Sequence, residues 1–334
     1  MSRIRRIGVL GAGAWGTTLA IVSQRAGREV VIWARRSLQA ATLFARRENL
    51  LHLPGASLDP AIRITGSIEA ALEADAVLVA LPAQHLREHL TGLAWPASIA
   101  AVICAKGIER DSLKSMPEVM AEIQPALSLA MLSGPTFAGE VARGMPAAVV
   151  IAGRDNALVE GLTAALATPE FRPYASDDPV GVALGGAVKN VLAVGCGIVV
   201  GRGLGENARA ALLTRGLAEL ARLVAACGGR RETAMGLSGA GDLILTATSA
   251  QSRNTSLGVA LGQGRLLAEI LAERQSVAEG VESAAAVVAL ARRHDVEMPI
   301  CQAVAGILAG REIDAELRRL LARPLKRESE AGGA

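Results

Sequence analysis

An apolar run, Ile7-Gly8-Val9-Leu10, leads straight into Gly11-Ala12-Gly13-Ala14-Trp15-Gly16, and an alanine-rich helical stretch begins at once. No other segment restricts the fold so sharply. In a G-x-G-x-x-G between strand and helix, the glycines suit a tight turn, close backbone approach to a pyrophosphate, and close helix–sheet packing. The phosphate would rest on the free N–H groups of the helix start. Gly11, Gly13, Ala14, Trp15 and Gly16 are therefore the expected dinucleotide-binding positions. A second apolar run, Glu29-Val30-Val31-Ile32-Trp33-Ala34, arrives where a βαβ unit needs it. Where an NAD site usually carries an Asp or Glu for the ribose hydroxyls, this chain has Arg35-Arg36. The pair favours a 2′-phosphate, hence NADPH over NADH, with NADH still usable. The alternative is that the two arginines solvate a loop.

The 334 residues suffice for one large or two ordinary domains. Apolar residues make up 51% but aromatics only 2%, so the core is built from Ala, Leu, Val and Ile. The net charge of +3, with both signs interspersed, gives no case for a nucleic-acid or anionic-membrane partner. The charge-free run from Asn190 to Gly201 is too short and too glycine-broken to span a bilayer. The basic start, Arg3 to Arg6, is followed by the glycine turn rather than a signal-peptide core. Cys104, Cys196, Cys227 and Cys301 are widely spaced among apolar neighbours and fit a reducing cytoplasm. His52, His85, His89 and His294 show no ligand clustering beyond the i, i+4 pair His85 and His89, and no metal is expected.

Up to about residue 176, short apolar runs alternate with amphipathic ones. Runs at 75–82, 98–105, 127–132, 147–153 and 171–174 read as strands, with helices at 37–47, 67–74 and 156–167 between them. This pattern predicts a Rossmann-like doubly wound α/β sheet over residues 1–176. Beyond Asp177 the strand signal stops. Leu213, Leu217, Leu220 and Val224 recur at helical spacing within 206–226. Stretches 280–294 and 300–321 read as further amphipathic helices, so residues 177–326 form an all-helical domain in this reading. Residues 327–334 are expected to be a disordered tail.

In open α/β sheets ligands bind at the carboxyl ends of the strands. Pro82-Ala83-Gln84, Lys106-Gly107 and Ser133-Gly134-Pro135-Thr136-Phe137-Ala138 all fall there. Only four of the 35 basic residues are lysine, namely Lys106, Lys114, Lys189 and Lys326. Lysine, unlike arginine, has a proton it can give up. Lys106, at a strand end beside a glycine, suits an anion or a polarised carbonyl, or is simply a solvated charge. Seven residues on either side of Lys189-Asn190 carry no other charge. A buried ammonium needs an anionic partner or a chemical purpose. Asp242, in the glycine-rich segment Gly236 to Thr246, can balance Lys189, and Thr246 offers a hydroxyl one helical turn later. The alternative is an ion pair that merely holds helices together. Ser252-Arg253-Asn254 suits a phosphate or is a polar loop. Val277-Ala278-Glu279-Gly280 is a helix start whose acid can meet a nicotinamide amide.

In order along the chain, these motifs resemble those of the bacterial NAD(P)-dependent glycerol-3-phosphate dehydrogenases. The resemblance rests on Gly11 to Thr17, Cys104-Ala105-Lys106-Gly107-Ile108, Ser133 to Ala138, Lys189-Asn190-Val191, Gly239-Ala240-Gly241-Asp242-Leu243, Ser252-Arg253-Asn254 and Glu279-Gly280. Thr136 stands where the family has serine, keeping the hydroxyl, and Ala240 replaces a bulkier apolar residue. The resemblance implies reduction of dihydroxyacetone phosphate to sn-glycerol 3-phosphate for phospholipid synthesis. It implies Lys189 as proton donor, Asp242 as its orienting partner, and Lys106 as the group that places or polarises substrate. Gly134, Thr136, Asn190, Thr246, Ser252, Arg253 and Asn254 complete the implied substrate site. Lys106, Ala138, Arg253, Val277 and Glu279 join the cofactor positions. A cytoplasmic homodimer is expected. Two other readings use the same architecture: a 6-phosphogluconate or ketopantoate type of dehydrogenase, and a non-catalytic NADPH sensor.

Overall fold

The computed structural model describes residues 4–274 and 278–325, so the tail from 327 and Val277 lie outside the described residues. Two compact units emerge. The first takes the chain up to Ala105 together with Met116–Pro179; the second takes Lys106–Ser115 and the chain from Val180 onward.

The first unit is built on strands β1 (Arg6–Leu10), β2 (Glu29–Trp33), β3 (Glu48–Asn49), β4 (Leu53–Ser57), β5 (Arg63–Thr65), β6 (Ala76–Val79), β7 (Ala100–Ile103), β8 (Ser128–Ser133), β9 (Ala147–Gly153) and β10 (Phe171–Ser176). Eight of them form one sheet in the order β10-β9-β8-β7-β6-β1-β2-β5, while β3 and β4 pair separately. The apolar runs are continuous because both faces of the sheet are covered. Ala76 and Leu78 of β6 face one buried layer with Val9 of β1 and Val102 of β7. Val77 and Val79 face the other with Ile103 and Leu10. The first helices are α1 (Ala14–Arg25), α2 (Ser37–Arg46) and α3 (Ile68–Leu72). They are followed by α4 (Leu86–Leu90), α5 (Met116–Ile123), α6 (Ala138–Ala142) and α7 (Asn156–Leu166). Strand order turns back at β1 and β6, where the glycine turn sits.

The pairing within the sheet is parallel except between β8 and β9, which run antiparallel from Ala130↔Gly153 to Ser133↔Val150. The sequence reading lacks β3, β4 and β5. Pro54 and Gly55 disguise β4, and β3 and β5 are only two and three residues long.

The second unit is helical among its described residues. It comprises α8 (Pro179–Gly201), α9 (Gly205–Ala226), α10 (Arg231–Ala234), α11 (Asp242–Thr248), α12 (Arg253–Gly262), α13 (Leu267–Ala272), α14 (Glu279–Arg293), α15 (Pro299–Leu308) and α16 (Ile313–Leu321). By length and composition α8 matches a membrane span, yet it is a core helix, buried inside the protein from Gly181 to Val199. The single helix expected over 300–321 is instead two, α15 and α16. Gly310, at φ 95°, ends α15, and the Arg311 and Gly310 N–H groups close onto the Gly306 and Ile307 carbonyls. That is a Schellman termination, which the left-handed glycine permits.

Candidate active site

In the first unit the glycine turn follows β1 and opens α1. Gly11 adopts φ 110°, and an added Cβ there would meet the Ala80 carbonyl oxygen at 2.7 Å. At Gly16 a Cβ would come within 1.8 Å of the Gly11 oxygen. A Cβ added at Gly13 would meet nothing within 4 Å. That face is open to a phosphate, and the N–H groups of the first turn of α1 lack intrahelical acceptors. The turn therefore fits a dinucleotide pyrophosphate.

Arg35 and Arg36 are exposed just after β2. The Arg35 Nη1 lies 2.9 Å from His89 Nε2. A guanidinium only donates, so this His89 nitrogen accepts and the ring is neutral in this arrangement. Burial lowers the His89 pKa, and the Arg35 charge lowers it further. At the end of β8, Gly134 takes φ 147°, and Thr136 Oγ1 donates to the Gly134 carbonyl at 3.3 Å. Ala138 opens α6, and its carbonyl accepts from Thr18 Oγ1 at 3.0 Å.

The second unit gathers the charged residues. Lys189 lies on buried α8, and its Nζ donates to Asp242 Oδ1 at 3.0 Å and to Thr246 Oγ1 at 2.9 Å. Asp242 opens α11 after a π-helical turn, Leu237–Gly241. Its second oxygen, Oδ2, accepts from Lys106 Nζ at 2.6 Å. One carboxylate thus holds two ammonium groups, one per oxygen, with the Asp242 side chain 2% exposed. Burial presses the Lys189 pKa down; Asp242 pulls against this, and the neighbouring Lys106 charge adds to the lowering. Burial alone would raise the Asp242 carboxyl, but Lys106 and Lys189 together hold it below the ordinary carboxylate range. An ammonium brought towards neutrality and oriented by a carboxylate and a hydroxyl can pass a proton to an oxygen beside it.

A second chain of contacts starts at the next residue. Asn190 Nδ2 donates to Glu279 Oε2 at 2.9 Å, and Asn190 Oδ1 accepts from Asn254 Nδ2 at 2.8 Å. Asn254 Oδ1 in turn accepts the Gly280 N–H at 2.9 Å. Asn254, expected to support Arg253, thus uses both ends of its amide on α8 and α14. Ser252 caps α12, its Oγ accepting from the Thr255 N–H at 3.2 Å. Arg253 is exposed at the first position of that helix, with the N-terminal dipole behind it. Among the described residues no cluster of three or more His, Cys, Asp or Glu suits a metal ion.

Three polar residues of note were missed in the sequence reading. Gln39 and Asn49 both donate to the Ala12 carbonyl of the glycine turn, at 2.8 and 3.0 Å. Nothing local marks either of them. Glu219 is buried in α9 and accepts the N–H groups of Ile300 and Cys301 at the start of α15. Its position on the apolar stripe, three residues after Gly216 and four before Leu223, was the available signal.

Residues 6–159 match the family model for the NAD-dependent glycerol-3-phosphate dehydrogenase N-terminus, and residues 178–317 match that for its C-terminus. A glycerol-3-phosphate dehydrogenase [NAD(P)+] of Rhodospirillum rubrum is 57% identical over 329 residues, covering 97% of this chain and 94% of the relative. One from Caulobacter vibrioides is 53% identical over 327 residues, covering 97% and 99%. The crystal structure of glycerol-3-phosphate dehydrogenase from Coxiella burnetii superposes with a TM-score of 0.91 at 37% identity, covering 96% of this chain and 99% of that one.

Proposed function

The chain belongs to the NAD-dependent glycerol-3-phosphate dehydrogenase family, and on that premise we propose that Lys189 delivers the proton in its reaction. The protein is an oxidoreductase that interconverts dihydroxyacetone phosphate and sn-glycerol 3-phosphate with NAD(P)H, at the entry to glycerophospholipid synthesis. When bound, the reduced nicotinamide supplies a hydride for the ketone carbon. Negative charge then gathers on the ketone oxygen, and Lys189 Nζ protonates it. Asp242 and Thr246 orient Nζ, and a general acid so placed contributes roughly 10²- to 10⁴-fold. Lys106 polarises the carbonyl or places the substrate. Arg253, exposed at the start of α12, clamps the phosphate; Ser252 supports it by capping that helix, and Asn254 by tying it to α8 and α14. Within the first unit Gly134 and Thr136 suit the substrate and Ala138 the cofactor; within the second, Asn190 suits the substrate and Glu279 the cofactor. The observation that carries this reading is the Lys189–Asp242–Lys106 arrangement: a buried ammonium oriented by a carboxylate and a hydroxyl, its hold on the proton loosened by burial and by the second cation.

The exposed Arg35-Arg36 pair at the end of β2 supports NADPH as the preferred cofactor. Cys104, Cys196, Cys227 and Cys301 form no disulfide among the described residues, which supports a reducing cytoplasm. Apolar side chains open to solvent on the helical unit, including Met235 and Ile244 at 62% and 52% exposure, support a homodimer.

The test is NADPH oxidation by the purified protein with dihydroxyacetone phosphate, alongside 6-phosphogluconate and ketopantoate in their own directions. Turnover confined to dihydroxyacetone phosphate is expected. Silence with that substrate, despite NADPH binding, would exclude the assignment.

A further inference from the structure

The carbonyl of Ala12, in the middle of the glycine turn, is gripped from two sides. Gln39 Nε2, on α2, donates to it at 2.8 Å. Asn49 Nδ2, on β3, donates to it at 3.0 Å and to Thr17 Oγ1 of α1 at 2.8 Å. Asn49 is 3% exposed. It sits at a register irregularity between Glu48 and Asn49, where the β3–β4 ladder slips. Its amide orientation follows from its neighbours: Nδ2 faces two acceptors, while Oδ1 accepts the His52 N–H at 3.3 Å.

A peptide group is planar and trans, so the Ala12 oxygen and the Gly13 hydrogen point in opposite directions. Holding the oxygen against Gln39 and Asn49 therefore aims the Gly13 N–H the other way. Gly13 is the turn residue whose Cβ side is open. Two donors on the carbonyl also polarise the shared peptide and strengthen its N–H as a donor. Without them a glycine-flanked peptide is free to rotate, and binding a phosphate would first have to order it.

We propose that Asn49 and Gln39 are positioning residues for the cofactor, fixing the Ala12–Gly13 peptide so that the Gly13 N–H meets the dinucleotide pyrophosphate. The proposal rests on the reading of the glycine turn as the pyrophosphate cradle. A purely structural role, tying β3 and α2 to α1, predicts something different: loss of stability with no preference for one part of the cofactor.

The variants Gln39→Met and Asn49→Leu keep side-chain volume and remove the donors. Dissociation constants for NADPH, by fluorescence titration, and for adenosine 2′-phosphate, which lacks the pyrophosphate, separate the two roles. Each variant is expected to weaken NADPH binding about ten-fold while adenosine 2′-phosphate stays within about two-fold, the scale of one or two lost hydrogen bonds. Wild-type NADPH affinity in both variants overturns the proposal, as does an equal loss for both ligands. Gln39 is only half-buried, so Gln39→Met decides the matter if Asn49→Leu does not fold. Gly13→Val tests the cradle separately. If it leaves NADPH binding intact, the cradle reading falls and the proposal with it. If it abolishes binding while Gln39→Met and Asn49→Leu bind normally, only the positioning role falls.

Discussion

Lys189 Nζ lies 3.0 Å from Asp242 Oδ1, while the other oxygen of the same carboxylate is taken by Lys106 at 2.6 Å. The arrangement sets the protonation of Lys189 from two directions. Asp242 holds the proton on; burial and Lys106 work to take it off.

Removing the Asp242 charge should shift that balance in a defined direction. As the proposed proton donor, Lys189 must be protonated for reduction of dihydroxyacetone phosphate, so the rate should fall as pH rises through its pKa. In Asp242→Asn the counter-charge is gone, the pKa drops further, and the alkaline limb of the pH–kcat profile moves to lower pH. At neutral pH kcat should fall by about 10²-fold. An unchanged alkaline limb would separate Asp242 from the titration of Lys189.

In the proposed function Arg35 and Arg36 meet a 2′-phosphate. The double variant Arg35→Asp, Arg36→Ala should lower the ratio of kcat/KM for NADPH over NADH by about ten-fold or more, the scale of a lost charge-assisted hydrogen bond. Steady-state kinetics with both cofactors read it directly. An unchanged ratio means the pair serves a solvated loop.

Glu219 makes stability depend on pH. Burial raises its pKa from 4.5 to about 7, against the pull of the Ile300 and Cys301 N–H groups. Between those values the folded protein keeps a proton that the unfolded chain has released. Stability from this group is thus full below 4.5 and is lost as pH rises through about 7. The loss is at most about 3 kcal/mol. Glu219→Gln keeps one of the two acceptor oxygens that meet the α15 N–H groups, removes the titration, and should flatten this decline in urea melts across the range. An equally steep decline in the variant would trace it to another group.

Helices α8 and α12 touch through glycine. A Cβ on Gly258 would fall 2.1 Å from the Val194 carbonyl oxygen and 2.9 Å from Gly197 Cα. Backbone cannot give way as a side-chain tip can, so Gly258→Ala should cost about 1–3 kcal/mol through forced helix separation. Lys189 lies on α8, so a fall in kcat should accompany the lower melting temperature. A melting temperature equal to wild type would show that the helices accommodate the methyl.

Much of this was legible from the residues. Strands β1, β2, β6, β7, β8 and β9 stand out because a sheet covered on both faces needs continuous apolar runs. Lys189 stands out because no charge surrounds it. What escaped depends on partners distant in the chain. An apolar run carries no direction, so the antiparallel entry of β9 was hidden. The break between α15 and α16 turns on one left-handed residue, Gly310, inside a stretch with unbroken helical periodicity. Lys106 and Asp242 are 136 positions apart, and no local pattern announces that they share a contact. Asn49 has the look of an ordinary turn residue, and its burial appears only once β3 is placed beside α1.

The most direct test of the proton-donor role is Lys189→Met, assayed for NADPH-dependent reduction of dihydroxyacetone phosphate with NADPH binding measured on the same preparation. Methionine keeps the length and loses the proton. The expected result is a kcat reduced by about 10²- to 10⁴-fold with NADPH affinity nearly unchanged. A variant that binds NADPH and retains most of its turnover would contradict the account and remove Lys189 from the mechanism.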